Sequence, residues 1–167
     1  MPYPWTVCRW LPGSNPAVDD LASPERLAAE LAAFITALRR VAPDGAPPSG
    51  RGVPLATRDK PTRAAIAASD GLIDTAAVTA VWEDALSIPA WSGLPAWTHA
   101  DLSPGNLLVR DGRLTAVIDW SIAGIGDPTV DLIVAWNLLP ASSRPAFRKA
   151  LAANSRHVIA EVLADTK

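Results

Sequence analysis

Residues 110–113 read Arg-Asp-Gly-Arg, and this Asp-Gly pair lies between two short apolar runs, Leu107-Leu108-Val109 and Leu114-Thr115-Ala116-Val117-Ile118. An Asp-Gly pair flanked in this way is a strong short-range signal for a tight β-hairpin, because the favoured two-residue turn needs positive φ at both central positions. The hairpin is set in a chain that otherwise reads as helical, with 31 alanines among 167 residues. Residues 24–41 place Leu27, Leu31, Phe34, Ile35 and Leu38 on one helical face. Ser23 is the expected cap, Pro24 suits the first position, and Arg39 and Arg40 suit the end of the dipole. Shorter helices are expected near residues 61–69 and 75–86. The second has Asp74 as N-cap and an apolar stripe of Val78, Val81, Trp82 and Leu86, with Trp82 read as core. Further helices are expected over residues 129–139, 144–153 and 155–164.

The remaining segments read as follows. Residues 3–11 are aromatic and β-branched and are expected as a strand, ended by the turn Pro12-Gly13-Ser14-Asn15-Pro16. Trp97-Thr98-His99 leads into a polar turn. Residues 43–52 are rich in Pro and Gly and are expected as a surface excursion, and Gly124-Ile125-Gly126 as a turn. The fold class is α+β, mostly α, with one central β-hairpin.

Composition excludes several functions. With 15 basic and 17 acidic residues and a formal charge of −2, the chain is not a nucleic-acid binder working through overall charge. A single cysteine, Cys8, leaves no internal disulfide. The longest uncharged run, residues 85–100, is interrupted by Pro89, Gly93 and Pro95, which argues against a membrane span. Residues 1–11 lack a basic start and a long apolar stretch, so a cytoplasmic location is the expectation.

The chemistry lies in residues 99–131, HADLSPGNLLVRDGRLTAVIDWSIAGIGDPTVD. Antiparallel strands joined by a tight turn bring their outer ends together. Asp101 and Asn106 enter the first strand and Asp119 leaves the second, so the three are expected to converge with His99 close by. Asn106 and Asp119 offer hard oxygen ligands of the kind Mg²⁺ takes together with water and substrate phosphates. Asp101 is left as a carboxylate that can accept a proton from an attacking hydroxyl. A base, a metal clamp and a nucleotide are the minimum a phosphoryl transferase needs.

The run from His99 to Asn106, followed by Asp119, resembles the catalytic and metal-binding loops of the aminoglycoside phosphotransferase family, small-molecule kinases of the protein-kinase-like fold. The likeness continues through Gly126-Asp127-Pro128 and Asp131-Leu132. Residues 3–13 look like the strand and hinge between that family's lobes, residues 51–83 like its helical insert, and residues 156–165 like its closing helix. The resemblance implies ATP and Mg²⁺ as cofactors and a small-molecule hydroxyl as acceptor, such as that of an aminoglycoside-like antibiotic. Asp101 would orient or deprotonate the acceptor, and Asn106 and Asp119 would hold Mg²⁺ and through it the β- and γ-phosphates. His99 would brace the loop, and Asp131 would accept hydrogen bonds from its backbone. Arg9, Trp10 and Leu11 would lie near the adenine through backbone groups.

The departures shape the expectation. Such kinases carry a strand lysine and a lobe over the nucleotide. Here the three lysines are Lys60, Lys149 and Lys167, and no glycine-rich phosphate loop occurs. Trp120-Ser121 and Ala100 replace residues of which the second and third are usually glycine in the family, and the stretch between residues 151 and 165 is short. The expected organisation is a hinge remnant, residues 1–13, and a helical kinase-like C-lobe, residues 14–167, with a catalytic loop at 99–106 and a metal loop at 119–127. The β-lobe is reduced to the hinge strand. The alternatives are a truncated, non-catalytic remnant, a half-kinase that needs a partner chain, and a divalent-cation module without nucleotide chemistry. Trp5 and Trp10 on the hinge face would favour self-association or a partner chain.

Overall fold

In the computed structural model, residues 7–154 are described. The longest helix, α1 (Pro24–Leu38), buries Leu27, Ala28, Leu31, Ala32 and Ile35, the face that the heptad-like spacing marks out. This face packs on α5 (Arg144–Asn154), whose Phe147 and Leu151 complete the core with Leu102, Leu107, Leu132, Val134 and Leu138. Ser23 stands at the cap position but its side chain makes no capping hydrogen bond, so Pro24 and burial define the start. The helix ends at Leu38, before the expected residue 41, and Arg39 turns inward to donate a hydrogen bond to the Pro128 carbonyl.

The hairpin consists of β2 (Leu107–Arg110) and β3 (Arg113–Val117), with Asp111 and Gly112 at φ +51° and +70° as the tight turn demands. Leu108 pairs with Ala116 and Val109 with Leu114, which leaves Thr115 as a bulge. The Thr115 hydroxyl donates to the Leu108 carbonyl at 3.0 Å. The strand expected over residues 3–11 is not present over its described part, residues 7–11. Pairing occurs instead at Ser14, which exchanges two hydrogen bonds with Val109 (3.0 and 2.8 Å). Gly13 permits the approach: it sits at φ +138°, and a Cβ there would lie 3.0 Å from Leu108 Cβ.

A second antiparallel pair departs from the sequence reading. β1 (Ala96–Thr98) pairs with β4 (Gly124–Gly126), so the segment expected as a turn is a strand. The reason lies in the Pro/Gly segment at 43–52, which lies mostly at the surface as expected but also crosses β4. Ile125 donates to Pro47 O (2.8 Å), Ser49 to Ile125 O (2.9 Å) and Asp127 to Gly52 O (3.0 Å). A Cβ on Gly124 would lie 2.5 Å from Pro47 O, and one on Gly126 2.5 Å from Gly52 O. Glycine here marks two backbones in contact rather than a bend.

Helices α2 (Asp59–Ala68) and α3 (Thr75–Ser87) follow that segment. Asp74 caps α3 as expected, accepting from Ala77 N at 2.9 Å. The apolar stripe of α3 does not form a core, since no residue of the helix is buried and Val81 is 69% exposed. The neighbouring α2 buries only Ile66. Trp82 is half-buried, its indole N–H donating to Asp59 Oδ1 at 2.8 Å. Where one helix was expected over 129–139, a 3₁₀ turn (Pro128–Ile133) leads into a short α4 (Val134–Asn137). The helix expected over 155–164 lies outside the described residues, as does Trp5. Among the described residues no helix is long and apolar enough to cross a membrane.

Candidate active site

The loop entering β2 is built around one buried carboxylate. Asp131, on the 3₁₀ turn after β4, is fully buried and accepts the backbone N–H of His99 (Oδ2, 3.0 Å) and of Ala100 (Oδ1, 2.8 Å). Burial pushes its carboxyl above the usual range, and these two hydrogen bonds, with Arg39 nearby, offset only part of that. Arg39 is itself largely buried, and burial lowers its basicity against the opposing pull of Asp131 and Asp127. Ala100 is held at φ +65°, a strained conformation for a residue with a Cβ. The paired N–H groups on one carboxylate maintain that bend.

His99 is buried, and its ring spans the loop. Nε2 lies 3.0 Å from Ile118 O, and Nδ1 accepts the Asp101 N–H at 3.3 Å, which assigns the ring proton to Nε2. The Trp120 ring stands edge-on to it, with centroids 4.9 Å apart. Ile118 in turn donates its N–H to Asn106 O at 2.9 Å. The backbone of one residue, Ile118, therefore ties the loop bearing Asp101 and Asn106 to the position before Asp119.

Asp101 is partly exposed. Its Oδ2 accepts from Asn106 Nδ2 (3.1 Å), the same amide also donating to Asp101 O (2.9 Å), and its Oδ1 is ion-paired with Arg51 Nη1. With Nδ2 spent on Asp101, the Oδ1 of Asn106 is the atom left to accept a cation. Asp119 is exposed at φ +61°. The Ser121 hydroxyl (2.7 Å) and then its N–H hold the Asp119 carboxyl below the usual range, so it is ionised at neutral pH. No group of three or more His, Cys, Asp or Glu among the described residues could cage a metal by itself. An amide oxygen and one carboxylate suit Mg²⁺, which keeps water and substrate phosphates as its other ligands.

The structure thus joins His99, Asp101, Asn106 and Asp131 by direct hydrogen bonds, and Asp119 follows directly on Ile118, which is bonded to both His99 and Asn106. Arg9, Trp10 and Leu11 are exposed, Trp10 at 89%, and share no described hydrogen bond with the loop. Two residues of the site were not singled out from sequence. Asn15 donates through Nδ2 to Pro104 O (3.3 Å), Gly105 O (2.9 Å) and Leu107 O (2.9 Å), which fastens the segment after Gly13 to the turn before β2 and to the first residue of β2. Arg51, from the segment crossing β4, reaches the proposed base. Each makes contacts 50 or more positions away in sequence, and only the turn-forming Pro/Gly context was visible locally.

Comparison with known proteins adds an independent observation. The family model described as APH, phosphotransferase enzyme family, matches residues 1–162. An aminoglycoside 3'-phosphotransferase of Escherichia coli is 41% identical over 59 residues, 35% of this chain and 22% of that protein. Among solved structures, the macrolide 2'-phosphotransferase MphH from Brachybacterium faecium is 26% identical, with a TM-score of 0.63, over 87% of this chain and 53% of that one. The GDP and kanamycin complex of APH(2")-IIia superposes with a TM-score of 0.64 at 22% identity, over the same shares, and speaks to the fold alone. The chain spans about half the length of the solved proteins it matches.

Proposed function

The chain belongs to the phosphotransferase enzyme family, and from that premise we propose that it serves in transfer of the γ-phosphate of ATP to a hydroxyl of a small molecule. The observation that carries this reading is the hydrogen-bonded unit of Asp101, Asn106 and His99, held by Asp131 and joined to Asp119 through Ile118. It supplies a carboxylate beside two hard oxygen ligands, the division of labour phosphoryl transfer requires.

Asp101 receives the acceptor O–H. As the acceptor oxygen bonds to the γ-phosphorus, the bond from that phosphorus to the βγ-bridging oxygen breaks, ADP leaves, and the acceptor's proton passes to the Asp101 carboxylate. Arg51 and Asn106 occupy one direction on each Asp101 oxygen and leave lone pairs for the hydroxyl. His99 and Asp131 act through the loop, keeping Asp101 at a fixed place and direction. Asn106 Oδ1 and the Asp119 carboxylate would hold Mg²⁺, which when bound neutralises charge on the β- and γ-phosphates. Arg9, Trp10 and Leu11 are proposed to lie near the adenine through backbone groups, as part of a hinge ahead of the helical lobe.

Thermal unfolding of the chain with and without saturating Mg·ATP tests the reading. A ligand at a hundredfold its Kd adds about 2.7 kcal/mol, which for a chain of this size raises the Tm by about 5–10 °C. The shift is expected to vanish in Asp119→Ala and to survive in Asp101→Asn, which loses phosphate transfer. A shift unaffected by Asp119→Ala refutes the metal assignment, and no shift at all removes the nucleotide reading for this chain. The chain covers 53% of the length of a solved phosphotransferase, and a second reading is that it works only together with a complementary lobe. A Mg·ATP shift that appears only on adding such a lobe would support it.

A further inference from the structure

Arg51 has been placed with unusual care for an exposed side chain. Its neighbours on both sides are glycines packed against the segment that follows Asp119. Gly50 donates its N–H to Ile122 O at 2.9 Å, and Gly52 O accepts from Asp127 N at 3.0 Å. A Cβ on Gly50 would lie 2.7 Å from Ile122 Cβ and force a shift, and one on Gly52 would be a tight 3.0 Å from Asp127 N. The backbone of Gly50-Arg51-Gly52 is thereby fixed on the metal-loop side while the Arg51 guanidinium crosses to Asp101. A second guanidinium supports the same turn, because Arg58 Nη2 donates to Gly50 O at 2.7 Å and spends that bond on a carbonyl rather than a carboxylate.

A hydroxyl approaching Asp101 therefore meets Arg51 beside it. One nitrogen of the guanidinium holds Asp101 Oδ1, and the side chain remains 57% exposed, so a guanidinium with five N–H donors has others to offer beyond this pair. A planar guanidinium can take a carboxylate on each of two edges, and it repels an ammonium in the same place. Resting on the phosphotransferase reading above, we propose that Arg51 is an acceptor-recognition residue and that the acceptor carries a carboxylate close to the hydroxyl that is phosphorylated. The acceptor's hydroxyl binds Asp101, its carboxylate binds the outer edge of Arg51, and Arg58 adds a second positive charge. A cationic amino alcohol is disfavoured at this site.

Three probes with the same diol and a different end group separate the cases: glycerate, glycerol and 3-amino-1,2-propanediol. Their affinities for the full chain are measured by saturation-transfer NMR titration without nucleotide, so the result does not depend on the Mg·ATP shift that tests the phosphotransferase reading. Glycerate is expected to bind at least tenfold more tightly than glycerol, with the amine weakest. Arg51→Gln should remove the difference between glycerate and glycerol, and Arg51→Lys should retain part of it. Arg51→Glu should reverse the order toward the amine, a gain that an unfolded variant does not show. Equal binding of glycerate and glycerol, no binding of either, tightest binding of the amine by the native chain, or a glycerate preference that survives Arg51→Gln overturns the proposal.

Discussion

Asp131→Ala tests how the catalytic loop is held. The substitution leaves two buried N–H groups, those of His99 and Ala100, without an acceptor. Each such group costs about 1–3 kcal/mol. It also removes a negative neighbour of buried Arg39. Against this, the native protein no longer buries a carboxylate. The net loss is about 3 kcal/mol, a large part of the ~5–15 kcal/mol by which a domain is stable. It corresponds to a fall in Tm of about 6–12 °C for a chain of this size. Urea unfolding at neutral pH reads the loss directly. The pH dependence supplies a second check with a definite sign. Burial raises the Asp131 carboxyl above its unfolded value. Its contribution is therefore complete below about pH 3.9, the unfolded value, and is lost as pH rises through the higher folded value. The substitution should cost more at pH 4 than at pH 8. A loss under about 1 kcal/mol, or a cost that grows with pH, refutes the view that this carboxylate supports the loop against the strain at Ala100.

Three further outcomes follow from other contacts. Glu30 ties α1 to the hairpin by accepting the Leu114 N–H at 2.7 Å and Arg113 Nε at 3.0 Å. Partial burial pushes its carboxyl up, but the Leu114 and Arg113 bonds outweigh that and leave it below the usual range. Glu30→Gln should cost about 1 kcal/mol at pH 7. The difference should disappear as the pH falls through the lowered folded value, measured by urea unfolding across pH 3–7. Gly126→Ala places a Cβ 2.5 Å from Gly52 O, and overpacking of this kind costs about 1–3 kcal/mol. Limited proteolysis should then cleave first within residues 43–52. Asn15→Ala removes three carbonyl contacts on the catalytic loop and should lower stability by about 1 kcal/mol. Amide exchange near residues 104–107 should accelerate, and unchanged exchange there counts against Asn15 as the fastener.

The hairpin and its polar ends were legible because their signals are local. Asp111-Gly112 states the turn type, alternating strands fix which ends meet, and the placement of His99, Asp101, Asn106 and Asp119 follows from that geometry. The Leu27–Leu38 face was equally plain, since one helix carries its own periodicity. What could not be read depends on partners distant in sequence. The β1–β4 pair hides behind glycines that signal a bend in isolation and a close contact only when residues 43–52 are in place. The stripe on α3 was overread, because spacing shows that a face is apolar but not that a neighbour covers it. Arg51 is framed by two glycines, a pattern that becomes informative only once Ile122 and Asp127 are seen against them.

The backbone of Ile118 behaves as a shared axle. Its N–H engages the Asn106 side of the site and its carbonyl engages His99. In the proposed function, the proton-accepting half and the cation-binding half consequently have no independent travel. Softening the hairpin, by heat or substitution, should disable both halves in one step rather than yield a chain that binds metal but lacks a base. Graded changes in the proposed acceptor recognition would then fall to the Gly50-Arg51-Gly52 turn, which reaches the assembly through Arg51. Such a division lets selection retune recognition while the chemistry is inherited whole.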